Sequence, residues 1–478
     1  MGTPLGQRRV LLLEFNEITR TIIDPMLSRG KLPTFARLFS EGAVAAPLSV
    51  DAPPNLDPWV TWVTLHTGVD CSVHGATVLE QDVATIRAKR TWDYAVEAGK
   101  TIGVFGSISA HPPRPVPGFM VPGPFAPSND TYPRYLAPVQ LLNRKYTQIH
   151  HKNSGGDGPF DMARQALSLL SLGLSPVTAA RISFELAREK TRPGQKWRRI
   201  SLQPLINLDF FRMLYRRYRP DYATWHTNHA AHYMHHYWRA FDDTGFLAPA
   251  TPEEKKDYGG AVELGYEICD ELLARFLDLV DDDTVIVLAT SMGQKPYVAE
   301  LFPEGRIVLR FRDVHGLLAI LAARGVTEVV PTMVPQYNVR IPDAAERARV
   351  GGLLRRARAV HATYPGVFTV VETGDVLTVT PAGLAKKRDD IRYFLDGAPN
   401  AKKDGYTLDE LFVADAPTPK QGMHDPTGLL VLHGKGIRRG VEIKGTSNLD
   451  IAPTLLTLLG TPVPATMKGR VLDEAWRQ

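Results

Sequence analysis

Residues 10–13, Val10-Leu11-Leu12-Leu13, form an unbroken apolar run between Arg8-Arg9 and Glu14. A run of that length without polar alternation predicts a strand buried on both faces, as in a parallel sheet. Residues 285–290 repeat the pattern most clearly, and 42–50, 100–106, 220–225 and 428–432 predict further extended segments. Apolar positions recur at helical spacing in 22–27, 32–39, 91–98 and 253–280, the last read as one long helix. A helix is also expected over 61–67. Its N-terminus would lie near Asp57-Pro58, where unpaired N–H groups attract anions. The Pro-rich stretch 111–127 reads as a loop, and 161–190 as helical with Pro176 interrupting it.

Strands and helices alternate through both ends of the chain, which predicts an α/β fold with a mainly parallel sheet flanked by helices. Residues 1–126, 219–304 and 415–478 are read as this core. Residues 127–218 are read as a mainly helical insertion whose basic residues form a solvated face. Residues 305–414 are read as a small α+β insertion, or cap.

Composition narrows the class. A 478-residue chain with 44% hydrophobic and 22% charged residues fits a folded globular protein. Its net charge of +5 suits an anionic small-molecule substrate, and nucleic-acid binding is not expected from it. Two cysteines, Cys71 and Cys269, build neither a metal cluster nor a disulfide framework, so a cytoplasmic setting is the default expectation. No window of about 18 apolar residues occurs, so a membrane span is not expected, while peripheral attachment stays open.

Three polar clusters follow predicted strands: Glu14-Phe15-Asn16-Glu17, Asn228 to His236, and Ser291-Met292-Gly293-Gln294-Lys295. In open parallel sheets, ligands bind beyond the carboxyl ends of the strands. If 229–236 is helical, His232 and His236 share a face, as do His229 and His232, and that spacing can hold a metal. Lys295 beside Gln294 could clamp an anion. Asp57 could be general base, nucleophile or helix cap. Trp59 and Trp62 are read as core residues.

Several stretches resemble the alkaline phosphatase superfamily, of the type I phosphodiesterase/nucleotide pyrophosphatase kind. They are Leu32-Pro33-Thr34-Phe35-Ala36-Arg37-Leu38, Asp57-Pro58-Trp59 through Thr67-Gly68, His74-Gly75, His424-Asp425-Pro426-Thr427-Gly428 and Asp450-Ile451-Ala452-Pro453-Thr454-Leu455-Leu456. The resemblance implies an alkaline phosphatase-like fold, phosphodiesterase or phosphatase chemistry, and two divalent metals held by Asp and His. This chain departs from that pattern. The first metal Asp falls on Asn16, the nucleophile on Asp57 or Pro58, and the Asp-His pair after the central strand on Ser291 and Met292. The Asp-x-x-x-His pair falls on Asn228 and His232, or on Ala231 and His235 in another register. His424 is retained. A similar Asn-Glu start and carboxylate-Pro-Trp stretch mark a divergent branch of the superfamily.

A two-zinc site is therefore not expected, since Asn is a weak zinc ligand and Ser and Met replace a carboxylate and an imidazole. The expectation is at most one divalent metal (zinc, manganese or iron) held by a subset of His232, His235, His236 and His424 with Glu14 or Glu17. Asp57, Glu17 and Lys295 are the catalytic candidates, and Asn16, Asn228, Ser291, Gln294 and Lys295 the substrate-binding ones. The function expected is a phosphoester or sulfoester hydrolase, or a phosphoryl or group transferase. Two alternatives stand beside it: a non-catalytic anion-binding or scaffold relative, and a group-transfer enzyme repurposed for glycan or natural-product assembly.

Overall fold

The computed structural model describes residues 8–53, 55–77, 81–147, 169–297, 307–332, 335–362, 365–414 and 420–477. These divide into two compact units. The first joins Met1–Thr244, Pro249–Pro296 and Gln421–Gln478. It is built on a sheet of β1 (Arg9–Phe15), β2 (Ala43–Ala45), β3 (Ile102–Phe105), β4 (Gly118–Val121), β5 (Tyr222–Thr227) and β6 (Thr284–Ala289). A two-stranded ribbon of β7 (Gly293–Pro296) and β8 (Gly422–Asp425) stands apart, and β9 (Leu430–His433) and β10 (Val441–Ile443) complete the sheet.

The sheet order is β10-β2-β9-β6-β1-β5-β3-β4, and only β9 runs antiparallel to its two neighbours. The fold is thus α/β with a mainly parallel sheet flanked by helices. β1 is central: Val10 to Leu13 are buried, as an apolar run covered on both faces requires. Helices α1 (Arg20–Ser28), α2 (Pro33–Glu41), α3 (Pro58–Thr67), α4 (Leu202–Tyr218), α5 (His229–Phe241), α6 (Ala261–Leu277) and α7 (Ile451–Leu458) pack around it. α3 is buried on every side, which explains why its apolar residues show no one-sided stripe. Asp270 of α6 accepts hydrogen bonds from the Thr34 and Phe35 amides, which satisfies the open N-terminus of α2 and fixes it to α6.

Some local expectations change. The pattern over 253–280 is two helices, Pro252–Tyr258 and α6, because the Gly259-Gly260 pair lies between them as cap residues. The expected loop 111–127 contributes β4, an edge strand. Pro176 starts a helix, Pro176–Thr191, instead of interrupting one. It sits in the first turn, where its missing N–H costs nothing, behind a capping Ser175. The part of 161–190 before residue 169 lies outside the described residues.

The second unit comprises Gly245–Ala248 and Tyr297–Lys420. Its antiparallel sheet runs Phe368–Thr373, Val376–Pro381, Tyr337–Arg340, Glu328–Pro331. Helix Ala344–Arg356 packs on it around a core that includes Leu321, Val339, Val350, Leu354 and Leu377.

Candidate metal centre

β1 ends at Phe15 and the chain turns sharply: Glu17 has φ 58°, in the left-handed region that L-residues rarely enter. That turn directs Glu17 back over the carboxyl edge of the sheet, where β5 runs into Asn228 and β6 into Ser291. Asn16 fixes it. Its Nδ2 donates to Glu17 Oε1 (2.9 Å) and Asn228 Oδ1 (2.7 Å), while its Oδ1 accepts from Trp62 Nε1 (2.8 Å). Both ends of the Asn16 amide are therefore engaged inside the protein, and its carbonyl oxygen faces Trp62. Gln294 Nε2 donates to Glu17 Oε2 and to the Ala231 carbonyl. Both partners can only accept, so the amide orientation is set.

Two histidines close on Glu17. His235 Nε2 lies 3.2 Å from Oε2, and His424 Nε2 3.8 Å from Oε1. One ligand atom from each of the three residues lies within 4.8 Å of the other two. The opposite ring nitrogens are held by main-chain carbonyls: His235 Nδ1 by Gly422 O (2.9 Å), His424 Nδ1 by Leu56 O (2.8 Å). A carbonyl only accepts, so each Nδ1 carries a hydrogen and each Nε2 is the ring nitrogen turned toward Glu17, the atom that would ligate a metal. Two imidazoles and one carboxylate form a donor set suited to zinc, manganese or iron. Ligands of one tetrahedral ion stand about 3.4 Å apart, so small side-chain shifts suffice. Burial opposes ionisation of Glu17, but His235, His424 and Gln294 outweigh it and hold the carboxyl at about 2.

The ribbon and α5 are locked together around this set. Gln421 N–H donates to His235 O (2.7 Å), and Gln421 Oε1 accepts from the Arg239 amide (2.8 Å). In the ribbon, His424 pairs with Gln294 and Met423 with Lys295. The pleat therefore turns Lys295 to the opposite face from His424, where it lies half exposed and 3.6 Å from Asp425.

Other sequence candidates lie elsewhere. Glu14 belongs to a separate buried cluster within β1. Its Oε1 accepts from Ser107 Oγ (2.8 Å) and lies 3.2 Å from His66 Nε2, and its Oε2 lies 3.2 Å from His226 Nδ1. Burial works against its charge, yet the two imidazoles hold it at about 2. His232 and His236 do face together, but they stack on each other at 4.1 Å, and the ligand set takes His235 from that helix instead. The ladder of Nδ1 from His236 to His232 O (2.9 Å) ties that pair within α5. His229 points to α6, with Nε2 3.0 Å from Gly265 O. Ser291 is buried and shares a hydrogen bond with Thr61 (2.8 Å).

Asp57 caps α3 through Trp59 N–H (3.0 Å). This corrects the expectation of an anion site there. Pro58 has no N–H, Trp59 gives its own to the Asp57 carboxylate, and Val60 and Thr61 donate to the Asp57 carbonyl. The cap residue itself fills the place of the anion.

Sequence reasoning missed Gly422, Gln421, the Leu56 carbonyl and the Trp62 donor. It also missed His66, His226 and Ser107 around Glu14. One signal was available for the latter: Thr224 and His226 alternate with Ala223 and Trp225 in a strand whose residues are all buried. Polar groups at period two on a buried face must answer a polar partner.

No protein-family profile matches the chain, and no curated protein matches it. Among solved structures, two of phosphonoacetate hydrolase from Sinorhizobium meliloti 1021 align with it. The complex with phosphonoformate has a TM-score of 0.42 and the complex with phosphonoacetate 0.41. Each is 13% identical and covers 96% of this chain and 97% of its own.

Gly422 is the position where the centre is most sensitive to volume. A Cβ there would lie 2.0 Å from Gln294 Oε1 and 2.9 Å from the Met234 carbonyl. The glutamine end can move, but only by giving up its hold on Glu17, and the main chain of α5 cannot. Gly422→Ala is expected to cost about 1–3 kcal/mol of stability and to weaken metal binding. Thermal unfolding with and without added zinc checks both; an unchanged midpoint and unchanged zinc affinity would contradict it.

Proposed function

We propose that this protein is an enzyme acting on a phosphate or sulfate ester, as a hydrolase or group transferase, with one divalent metal held by Glu17, His235 and His424. The observation that carries the reading is the convergence of these three residues, with both Nδ1 atoms tied to carbonyls, at the carboxyl edge of a mainly parallel sheet. The retained His424 motif and the superfamily resemblance of its surrounding stretches supply the substrate class.

A divalent metal bound there supplies Lewis-acid polarisation of an ester oxygen and neutralisation of developing charge. The chain's own residues do the rest. Asn16 and Gln294 hold the Glu17 carboxylate in place. The Gly422 and Leu56 carbonyls keep His235 and His424 in one tautomer. With Glu17 taken as a ligand, Asp57 is the carboxylate we assign as general base: it follows Leu56, whose carbonyl holds His424.

The deciding experiment pairs elemental mass spectrometry with turnover assays on phosphate monoesters, phosphate diesters and sulfate esters, using wild type, His424→Ala and Asp57→Asn. Wild type should carry near-stoichiometric metal and turn over one ester class. His424→Ala should lose both, and Asp57→Asn should keep the metal while kcat falls by about 100-fold or more. Metal-free wild type that binds phosphate or sulfate tightly without product would overturn the reading and favour a non-catalytic anion-binding relative.

A further inference from the structure

Helix Pro176–Thr191 is amphipathic in the reverse sense. Its charged residues other than Lys190 turn toward the body of the unit and are matched there. Arg181 pairs with Glu271 (2.8 Å), Glu185 with Arg198 (3.2 Å) and Glu189 with Arg199, while Arg188 donates to Gln195 (2.9 Å). Its outward face carries Val177, Ala180, Ser183, Phe184 and Ala187, all exposed at the three- and four-residue spacing of one helical stripe. Val177 is 68% and Phe184 62% exposed. A helix folded only for its own unit would place these residues inward and the ion pairs outward. Contiguous apolar exposure of this kind marks a surface that meets something other than water.

Charge identifies the occupant. Lys190 is exposed at the end of the helix, and exposed Arg192 and Lys196 follow it directly in the chain. The helix's two acidic residues, Glu185 and Glu189, are both consumed by arginines on the inner side. The outward surface is therefore apolar, then cationic, and free of carboxylate along the helix. This is the composition of an interfacial helix that lies in the headgroup plane of an anionic bilayer. A second copy of the chain fits less well: a stable dimer buries about 800 Å² per partner, more than one stripe of mostly small side chains on a helix about 24 Å long supplies. Among the described residues no helix is long and apolar enough to cross a membrane, so the contact is peripheral.

We propose that the outward face of Pro176–Thr191 docks this protein on anionic lipid surfaces, with Val177 and Phe184 entering the acyl boundary and Lys190, Arg192 and Lys196 meeting headgroup phosphates. The test is vesicle flotation of the full chain with phosphatidylcholine alone and with added phosphatidylglycerol. Wild type is expected to float only with the anionic vesicles. Phe184→Glu should lower apparent affinity by about tenfold or more. Lys190→Ala should lower it about fivefold, with the remaining binding less salt-sensitive. All these positions are exposed, so circular dichroism and the thermal midpoint should match wild type and separate lost docking from lost folding. Absence of wild-type binding, or Phe184→Glu binding as well as wild type, would overturn the proposal. A lipid-free dimer that Phe184→Glu dissociates would overturn it too, by giving the face to a second copy.

Discussion

Glu17→Gln is expected to empty the metal centre, lowering affinity for zinc or manganese by more than about 100-fold. Loss of a residue that merely orients a ligand costs 10–100-fold, and Glu17 supplies the only carboxylate of the three-residue set. Glutamine keeps the shape and can still accept through its carbonyl, but it brings no charge. His235 and His424 would then face a neutral amide, and either the Gln294 or the Asn16 side-chain N–H2 would face another donor in place of an oxygen. Chelator competition followed by elemental analysis reads the effect, and the thermal midpoint of the metal-free variant reports whether the fold survived. Metal content equal to wild type in a folded Glu17→Gln protein would remove Glu17 from the ligand set.

The second large effect belongs to Glu14, away from the metal centre. The folded chain keeps Glu14 ionised down to about pH 2, although the group ordinarily takes up its proton near 4.5. The unfolded chain protonates first, so the contribution is complete above about 4.5 and disappears as pH falls from there toward 2. A shift of that size corresponds to about 3 kcal/mol. Glu14→Gln should lower stability by about that amount at pH 6, because it leaves His66 and His226 buried beside a neutral group. It should also flatten the acid limb of the stability curve. Urea unfolding followed across pH 2–6 compares the two proteins. Parallel curves for wild type and variant would show that the cluster holds no charge.

The frame of this fold was legible because its signals are local. The runs at 10–13 and 285–290 are short, rich in branched apolar residues and flanked by polar ones, which reads as buried strands, and Asp57-Pro58 marked the start of α3 by cap and first-turn chemistry. The carboxyl-edge location of Glu17, Asn228 and Gln294 followed from the strand order of an α/β fold. The choice among histidines did not. His232, His235 and His236 lie on adjoining faces of one helix, and which face meets the sheet edge depends on how β8 packs against α5. Glu14 and Glu17 were similarly inseparable: one lies in β1 and the other beyond a left-handed turn that no glycine announces. Gly422 carried no signal because its role is to be absent, leaving room for Gln294 and the α5 main chain.

The ligands of the centre enter the chain at positions 17, 235 and 424 of 478. Synthesis runs in that order, so the carboxylate is made first and the His424 imidazole last. Until β8 is made, Glu17 has at most the His235 imidazole beside it. The three-residue set is therefore complete only once β8 pairs with β7. A metal that needs all three ligands would thus bind only after β8 has been made and paired, so its uptake would report that late pairing.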